Sequence, residues 1–142
     1  MKTDADCVFC KIVAGEIPCS RVYEDEALLA FMDIGPIVRG HTLVIPREHI
    51  DPVTAADEAL TGRLFNAARR IAAAQMNALG ADGVNIMQNN GRVAGQAVFH
   101  LHVHVIPRFR DDGHHWNWNP GSYDAPSDMQ ALAENIAAAL AA

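Results

Sequence analysis

Three histidines alternate with apolar residues in the run His100-Leu101-His102-Val103-His104. On a β-strand, successive side chains point to opposite faces. The three imidazoles would then project from one face at intervals of about 7 Å, and Leu101, Val103 and Val105 from the other. The pattern describes a half-buried strand whose second face is entirely imidazole, with none of the Lys, Glu or Thr that fill a solvated face. Neutral imidazole is a nucleophile and a proton carrier near pH 7, so the run suits covalent or acid–base chemistry. Imidazole also ligates zinc, but one strand face holds the rings too far apart to converge on an ion without ligands from elsewhere.

Cys7-x-x-Cys10 is a two-ligand half site for a metal. No second such pair exists, so further ligands would have to be His, Asp or Glu, and seven histidines leave the choice open. Two reduced, buried cysteines without a metal are the alternative reading. A redox pair fits less well, because no βαβ pattern follows Cys10. Cys19 has no partner in the sequence.

The elements that must position these residues form an α+β pattern with a mainly antiparallel sheet, one long helix and a short C-terminal helix. Two short strands are expected across Val22 to Met32, around Glu24-Asp25-Glu26, and a buried strand over Thr42 to Ile45, stopped by Pro46. The spacing of Leu60, Leu64, Ala67, Ile71, Ala74 and Ala78 predicts a helix from Thr54, its cap, to Leu79, with Gly80 as the stop. Val84 to Gln88 is a further strand candidate. Phe99 to Ile106 alternates strictly and predicts a strand ended by Pro107. Residues 111 to 126 read as an irregular loop containing His114-His115-Trp116-Asn117-Trp118. Ser127-Asp128-Met129-Gln130 has a capping-box pattern and opens a last helix whose Leu132, Ile136 and Leu140 share a face.

The 142 residues suit one domain, and half of them are hydrophobic. A net charge of −6 argues against a general nucleic-acid binder, which needs a basic face. It leaves room for a small anionic ligand held by backbone N–H groups and histidines. No apolar run is long enough to span a membrane, and residues 1 to 6 lack the apolar core of a secretory signal. An odd cysteine count with one close pair fits a reducing cytoplasm.

The block Gly95-Gln96-Ala97-Val98-Phe99-His100-Leu101-His102-Val103-His104-Val105-Ile106 resembles the signature of the histidine triad (HIT) family, in which three histidines alternate with apolar residues. The likeness extends to Cys7-Val8-Phe9-Cys10-Lys11-Ile12, Gly15-Glu16-Ile17-Pro18, Leu29-Ala30-Phe31-Met32-Asp33-Ile34 and Gly40-His41-Thr42-Leu43-Val44-Ile45-Pro46. It implies a single HIT-like domain over 1–142, with a core at about 7–107 and a C-terminal loop and helix at 108–142. The nearest likeness is to the Hint-like branch, small purine-nucleotide hydrolases that work as homodimers.

The resemblance implies that His102 attacks the α-phosphorus and forms a nucleotidyl-histidine, which water then hydrolyses. It implies that His104 contacts the phosphate and aids the leaving group, and that His41 supports the triad. Asn89, Gln96 and the Ala97 and Val98 backbone would hold phosphate oxygens, although Asn89 and Gln96 also read as plain loop residues, and Asp33 the ribose hydroxyls. Phe9, Ile17, Phe31, Ile34 and Leu43 would form the base pocket, although these five also read as core. It further implies a structural zinc on Cys7, Cys10, His49 and His100. Many Hint-like proteins carry Ser where Ala97 stands, so a hydroxyl contact of that branch is missing here. That departure sustains a second reading, a nucleotide-binding or sensor protein with vestigial catalysis. A nucleotidyltransferase is a third, weaker one, since those relatives are much larger. A C-terminal loop with Trp near Pro120-Gly121 resembles one that approaches the site across the dimer; a solvated loop with aromatic anchors is its equal.

Overall fold

Apolar β-branched and leucine-rich runs build five strands: β1 (Arg21–Glu24), β2 (Leu28–Met32), β3 (Thr42–Pro46), β4 (Gly83–Met87) and β5 (Val103–Arg108). In the computed structural model, which describes residues 1–142, they form one antiparallel sheet in the order β1-β2-β3-β5-β4. A short helix, α1 (Val8–Val13), precedes the sheet, a long one, α2 (Glu58–Leu79), covers one face, and α3 (Pro126–Ala141) ends the chain. No helix is long and apolar enough to cross a membrane.

The α2 face of the sheet carries the larger core. Leu28, Ala30, Val44, Leu101, Val103 and Val105 pack there against Leu64, Ala67, Ala68 and Ile71. Each large side chain fully buried in such a core contributes about 1.5–3 kcal/mol. The opposite face carries a second cluster of Leu29, Phe31, Leu43 and Ile45 with Cys7, Phe9 and Cys10 of the α1 segment. Gly40 lies where the backbone must pass closely. Its φ is +100°, and a Cβ there would stand 2.8 Å from Leu79 Cδ1 and 2.9 Å from Pro107 Cγ, so a side chain meets both strain and collision.

Four local expectations change. The long helix starts at Glu58, not Thr54: the Asp57 carboxylate accepts from the Leu60 N–H at 2.8 Å, and Thr54 sits in a preceding 3₁₀ turn, Val53–Ala55. An Asp directly before the helix out-competes a Thr three residues earlier. Ala74 and Ala78, read as part of the stripe, face away from the core, where Gln75 is buried instead. The last strand begins at Val103 rather than Phe99 and runs through Pro107 to Arg108. Pro107 is tolerated because the β3 ladder ends at the Thr42–Val105 pair, leaving no acceptor on that side to satisfy. The last helix is not capped by Ser127: Ala125 precedes it without a side-chain cap, and Pro126 occupies its first turn.

Candidate functional site

Residues 99 to 102 lie just before β5, where the Leu101 N–H donates to the Ile50 carbonyl at 2.8 Å instead of to a ladder partner. The alternation survives without the ladder: Leu101, Val103 and Val105 enter the α2 core, and the three imidazoles lie on the other side. The imidazoles are not equivalent. The His102 and His104 rings are 4.9 Å apart. His100 turns toward Cys7 and Cys10, and Phe9 meets both His100 and His102 edge-on, at 5.8 and 5.2 Å.

Hydrogen bonds fix every tautomer. The carbonyl of Pro46 lies 2.8 Å from His100 Nε2, so that nitrogen carries the proton and Nδ1 keeps its lone pair. The His100 carbonyl lies 2.7 Å from His102 Nδ1, which therefore donates. His102 Nε2 is left unprotonated, has no protein partner and is not sealed from solvent. The Ile37 N–H donates to His41 Nδ1 at 3.1 Å. His41 must then carry its proton on Nε2, which lies 2.9 Å from His104 Nδ1. His104 accepts there and presents an Nε2–H. The site thus offers a lone pair from His102 beside a donor from His104. Burial, followed by the neighbouring His102 and His41, pushes the His104 pKa down to about 4. Burial also lowers those of His41 and His100, so these rings are neutral at pH 7.

Asp33, expected at the ribose, lies at this end of the site. One of its oxygens is 3.6 Å from His41 Nε2 and the other accepts from the Gly35 N–H at 2.8 Å. Phe9, Phe31 and Leu43 are buried in the cluster beneath the triad, Ile17 is half-buried, and Ile34 stands fully exposed at the rim. Asn89 is half-buried with Ala97 exposed and Val98 half-buried nearby in sequence. Gln96 behaves differently. It is buried, its Nε2 donates to Asp51 Oδ1 at 2.7 Å and to the Val98 carbonyl at 3.0 Å, and its Oε1 accepts from the Gly91 N–H at 2.7 Å. Its polar atoms are spent on tying the 89–98 loop to Asp51, a residue without any sequence signal of its own. The Trp116 indole donates to Asn85 on β4 at 2.9 Å, which accounts for that aromatic as a loop anchor, while Trp118 is exposed.

The second cluster is Cys7, Cys10, His49 and His100, whose ligand atoms all lie within 4.8 Å of one another. Cys7 Sγ is 3.4 Å from His100 Nδ1, and Cys10 Sγ is 3.4 Å from His49 Nδ1 and 3.6 Å from His100 Nδ1. A zinc tetrahedron with bonds of about 2.3 Å to sulfur and 2.0–2.1 Å to nitrogen has S···N edges of roughly 3.5–3.6 Å. The donor set and its spacing fit that ion. Both histidines point Nδ1 inward, the Nε2–H of His100 is held by the Pro46 carbonyl, and His49 Nε2 lies 4.0 Å from an Asp4 carboxylate oxygen. The Pro46 contact is of the kind that orients a histidine ligand, whereas Asp4 faces His49 too far away for a hydrogen bond. Sequence alone did not single out Asp4.

Known proteins share the fold and much of the sequence. A chain from Streptococcus mutans superimposes with a TM-score of 0.91 at 45% identity, covering 97% of this chain and 87% of that one. The adenosine 5'-monophosphoramidase hnt1 of Schizosaccharomyces pombe is 37% identical over 131 residues, 92% of this chain and 95% of the relative. A zinc-bound histidine triad family protein from Mycobacterium smegmatis matches with a TM-score of 0.75 and 39% identity, covering 94% and 97% of the two chains. The HIT domain pattern matches residues 14–111, and the chain belongs to the histidine triad (HIT) family.

Proposed function

We propose that this protein is a nucleotide phosphoramidase or dinucleoside polyphosphate hydrolase, acting at the α-phosphorus of a purine nucleotide with His102 as nucleophile. One observation carries the reading: the His100 carbonyl takes the Nδ1–H of His102 and leaves Nε2 with an open lone pair. In the first step that lone pair forms a P–N bond as the bond from phosphorus to the leaving nitrogen or oxygen breaks. The positive charge that develops on the ring is spread toward the His100 carbonyl through the Nδ1–H. The Nε2–H of His104 hydrogen-bonds a phosphoryl oxygen or the departing atom; a departing phosphate leaves as the anion, and a departing nitrogen takes a proton from solvent and leaves as the neutral amine. His41 keeps that donor in place. Water then cleaves the P–N bond, releasing the nucleoside monophosphate and restoring His102. Asp33 would take the ribose hydroxyls, Phe9, Ile17, Phe31, Ile34 and Leu43 the base, and Asn89 with the Ala97 and Val98 backbone the phosphate.

Zinc on Cys7, Cys10, His49 and His100 would close a four-ligand shell, leaving no open position for activating water. These residues would hold α1 against the segment that carries the nucleophile. The name of the fission yeast relative supports the P–N substrate class, and the zinc-bound mycobacterial relative supports the metal. We place the protein in the cytoplasm as a homodimer. Exposed Ala97, which supplies no hydroxyl, favours a second reading in which nucleotide is bound but turned over poorly.

Rapid quenching with a nucleotide labelled at the α-phosphorus tests the proposal. A labelled adduct on His102, and loss of turnover by at least about 10³-fold in His102→Asn with binding retained, are expected. Retained turnover in that variant overturns the mechanism. Binding by the unaltered protein without adduct or turnover selects the second reading.

A further inference from the structure

Helix α3 and the body of the protein each carry an apolar surface that this chain leaves open. No residue of α3 is buried, and Met129, Leu132, Ile136 and Leu140, spaced to share one face, are 52%, 49%, 65% and 81% exposed. A sixteen-residue helix without tertiary contacts is marginal in water, so this one needs a surface to cover its stripe. On the body, an apolar groove of about 1060 Å³ runs beside the C-terminal half of α2, lined by Met32, Val38, Ile71, Ala74, Ala78 and Leu79. Gln75 also lines it. Only 5% exposed, Gln75 uses its amide nitrogen on the Gly40 and Val105 carbonyls, while its Oε1 has no partner. Gln75 thus forms part of the buried floor of the groove, and the open surface above it is the apolar one of Ala74, Ala78 and Leu79.

The charges match as well. Arg39 stands on the rim without a carboxylate partner in the chain, while Asp112 on the same rim is engaged by Arg108. Helix α3 carries Asp128 and Glu134 and no basic residue, and Asp128 lies one turn before Leu132 on the apolar side. The chain's own α3 does not enter the groove: none of its residues is buried and none lines it. The Trp116 indole is fastened to Asn85 in the middle of β4. The nine residues from Asn117 to Ala125 that follow span at most about 30 Å, enough to reach a second copy.

We propose that two copies of this chain exchange α3, each laying the Met129, Leu132, Ile136 and Leu140 face in the groove of the other. The exchange is reciprocal, as a two-fold axis requires. It gives the homodimer reading a defined surface and is independent of the chemistry at His102.

Sedimentation velocity on the full-length chain and on four variants tests it: Leu132→Glu and Ile136→Glu on the helix, Ala74→Glu and Ala78→Glu in the groove. All four positions are exposed in the isolated chain, so each variant should fold, with circular dichroism as the check and Ile136→Leu as a conservative control that still dimerises. The unaltered chain should sediment as a dimer, and each Glu variant should weaken association roughly 100-fold or more. Mixing Ile136→Glu with Ala78→Glu chains should restore dimer, because one intact helix then meets one intact groove. A dimer indifferent to all four substitutions, a monomeric unaltered chain, or a mixture that fails to complement overturns the exchange. A monomer that still cleaves nucleotides would do so while leaving the hydrolase reading untouched.

Discussion

The Nδ1–H of His102 is held by the backbone carbonyl of His100 at 2.7 Å. The first residue of the triad thus sets the tautomer of the second through its main chain, while its side chain belongs to the Cys7, Cys10 and His49 cluster. A side chain could rotate away from such a duty, but a carbonyl pinned between the Leu101 N–H···Ile50 bond and the Pro46 contact of the His100 ring cannot. The proposed metal shell and the proposed nucleophile would therefore be mechanically joined at one residue.

His41 holds the donor on the other side of the nucleophile. In His41→Asn the ring that accepts from the Ile37 N–H and donates to His104 is lost, and His104 is free to adopt either tautomer. The single-turnover rate should fall roughly 10–100-fold, with a smaller change in nucleotide affinity. The melting temperature should drop too, because a buried polar network is broken at a cost of about 1–3 kcal/mol. An unchanged rate would remove His41 from the site.

Acid should destabilise the protein through His104 well before its carboxylates titrate. The His104 pKa falls from the ordinary 6.5 to about 4 because burial, and then its neighbours His102 and His41, oppose its charge. The unfolded chain therefore binds a proton between those values that the folded chain refuses. The stability contributed is complete above pH 6.5 and is lost as pH falls toward 4, up to roughly 3 kcal/mol. Depressed His41 adds in the same direction. Urea midpoints at pH 7 and pH 4.5 measure the slope, which should be visibly shallower in His104→Gln. An equal slope in that variant would assign the acid sensitivity elsewhere.

Zinc analysis of the purified chain should give about one ion per chain, and Cys10→Ser or His49→Gln should lose most of it. Removing the ion should cost about 2 kcal/mol or more, lowering the melting temperature by roughly 4–8 °C. The cost in turnover should be mainly indirect, since an ion in this cluster would reach the proposed nucleophile only through the His100 backbone. Fully folded protein without zinc, with an unaltered melting temperature in strong chelator, would leave the four residues as a hydrogen-bonded cluster.

Alternation made the triad strand legible in the sequence, and the helix stripe of Leu60, Leu64, Ala67 and Ile71 made α2 legible, because both patterns report burial directly. Hydrogen-bond partners are not encoded that way. Leu101 alternates like a strand residue yet bonds to Ile50 in a loop, so the strand began four residues late. Helix α1 escaped detection because six residues show too little periodicity, and its cap is Cys7, whose sulfur accepts from the Cys10 N–H. The split of the three histidines into metal and catalytic roles came from family likeness. Strand geometry treats them as equals, and only the contacts with Cys7, Cys10 and His41 distinguish them.

Gln96 separates a structural role from a ligand-binding one. The family resemblance puts it at the phosphate and its own context reads as plain loop; in the fold both polar ends of its side chain are committed to Asp51, Val98 and Gly91. Gln96→Ala would strand the Gly91 N–H and the Asp51 carboxylate, destabilising by about 1–3 kcal/mol. Gln96→Glu should be worse at neutral pH, because a second carboxylate would face Asp51 where an amide donor now lies 2.7 Å away. The Glu variant should therefore be less stable than the Ala variant at pH 7. If Gln96 instead holds phosphate directly, Gln96→Ala would raise KM with little change in melting temperature. Melting curves and nucleotide titrations on the two variants separate these outcomes. A loop clamp predicts that affinity and stability fall together, because the glycine-bearing 89–98 segment can present Asn89 and its backbone donors only while Gln96 fastens it to Asp51.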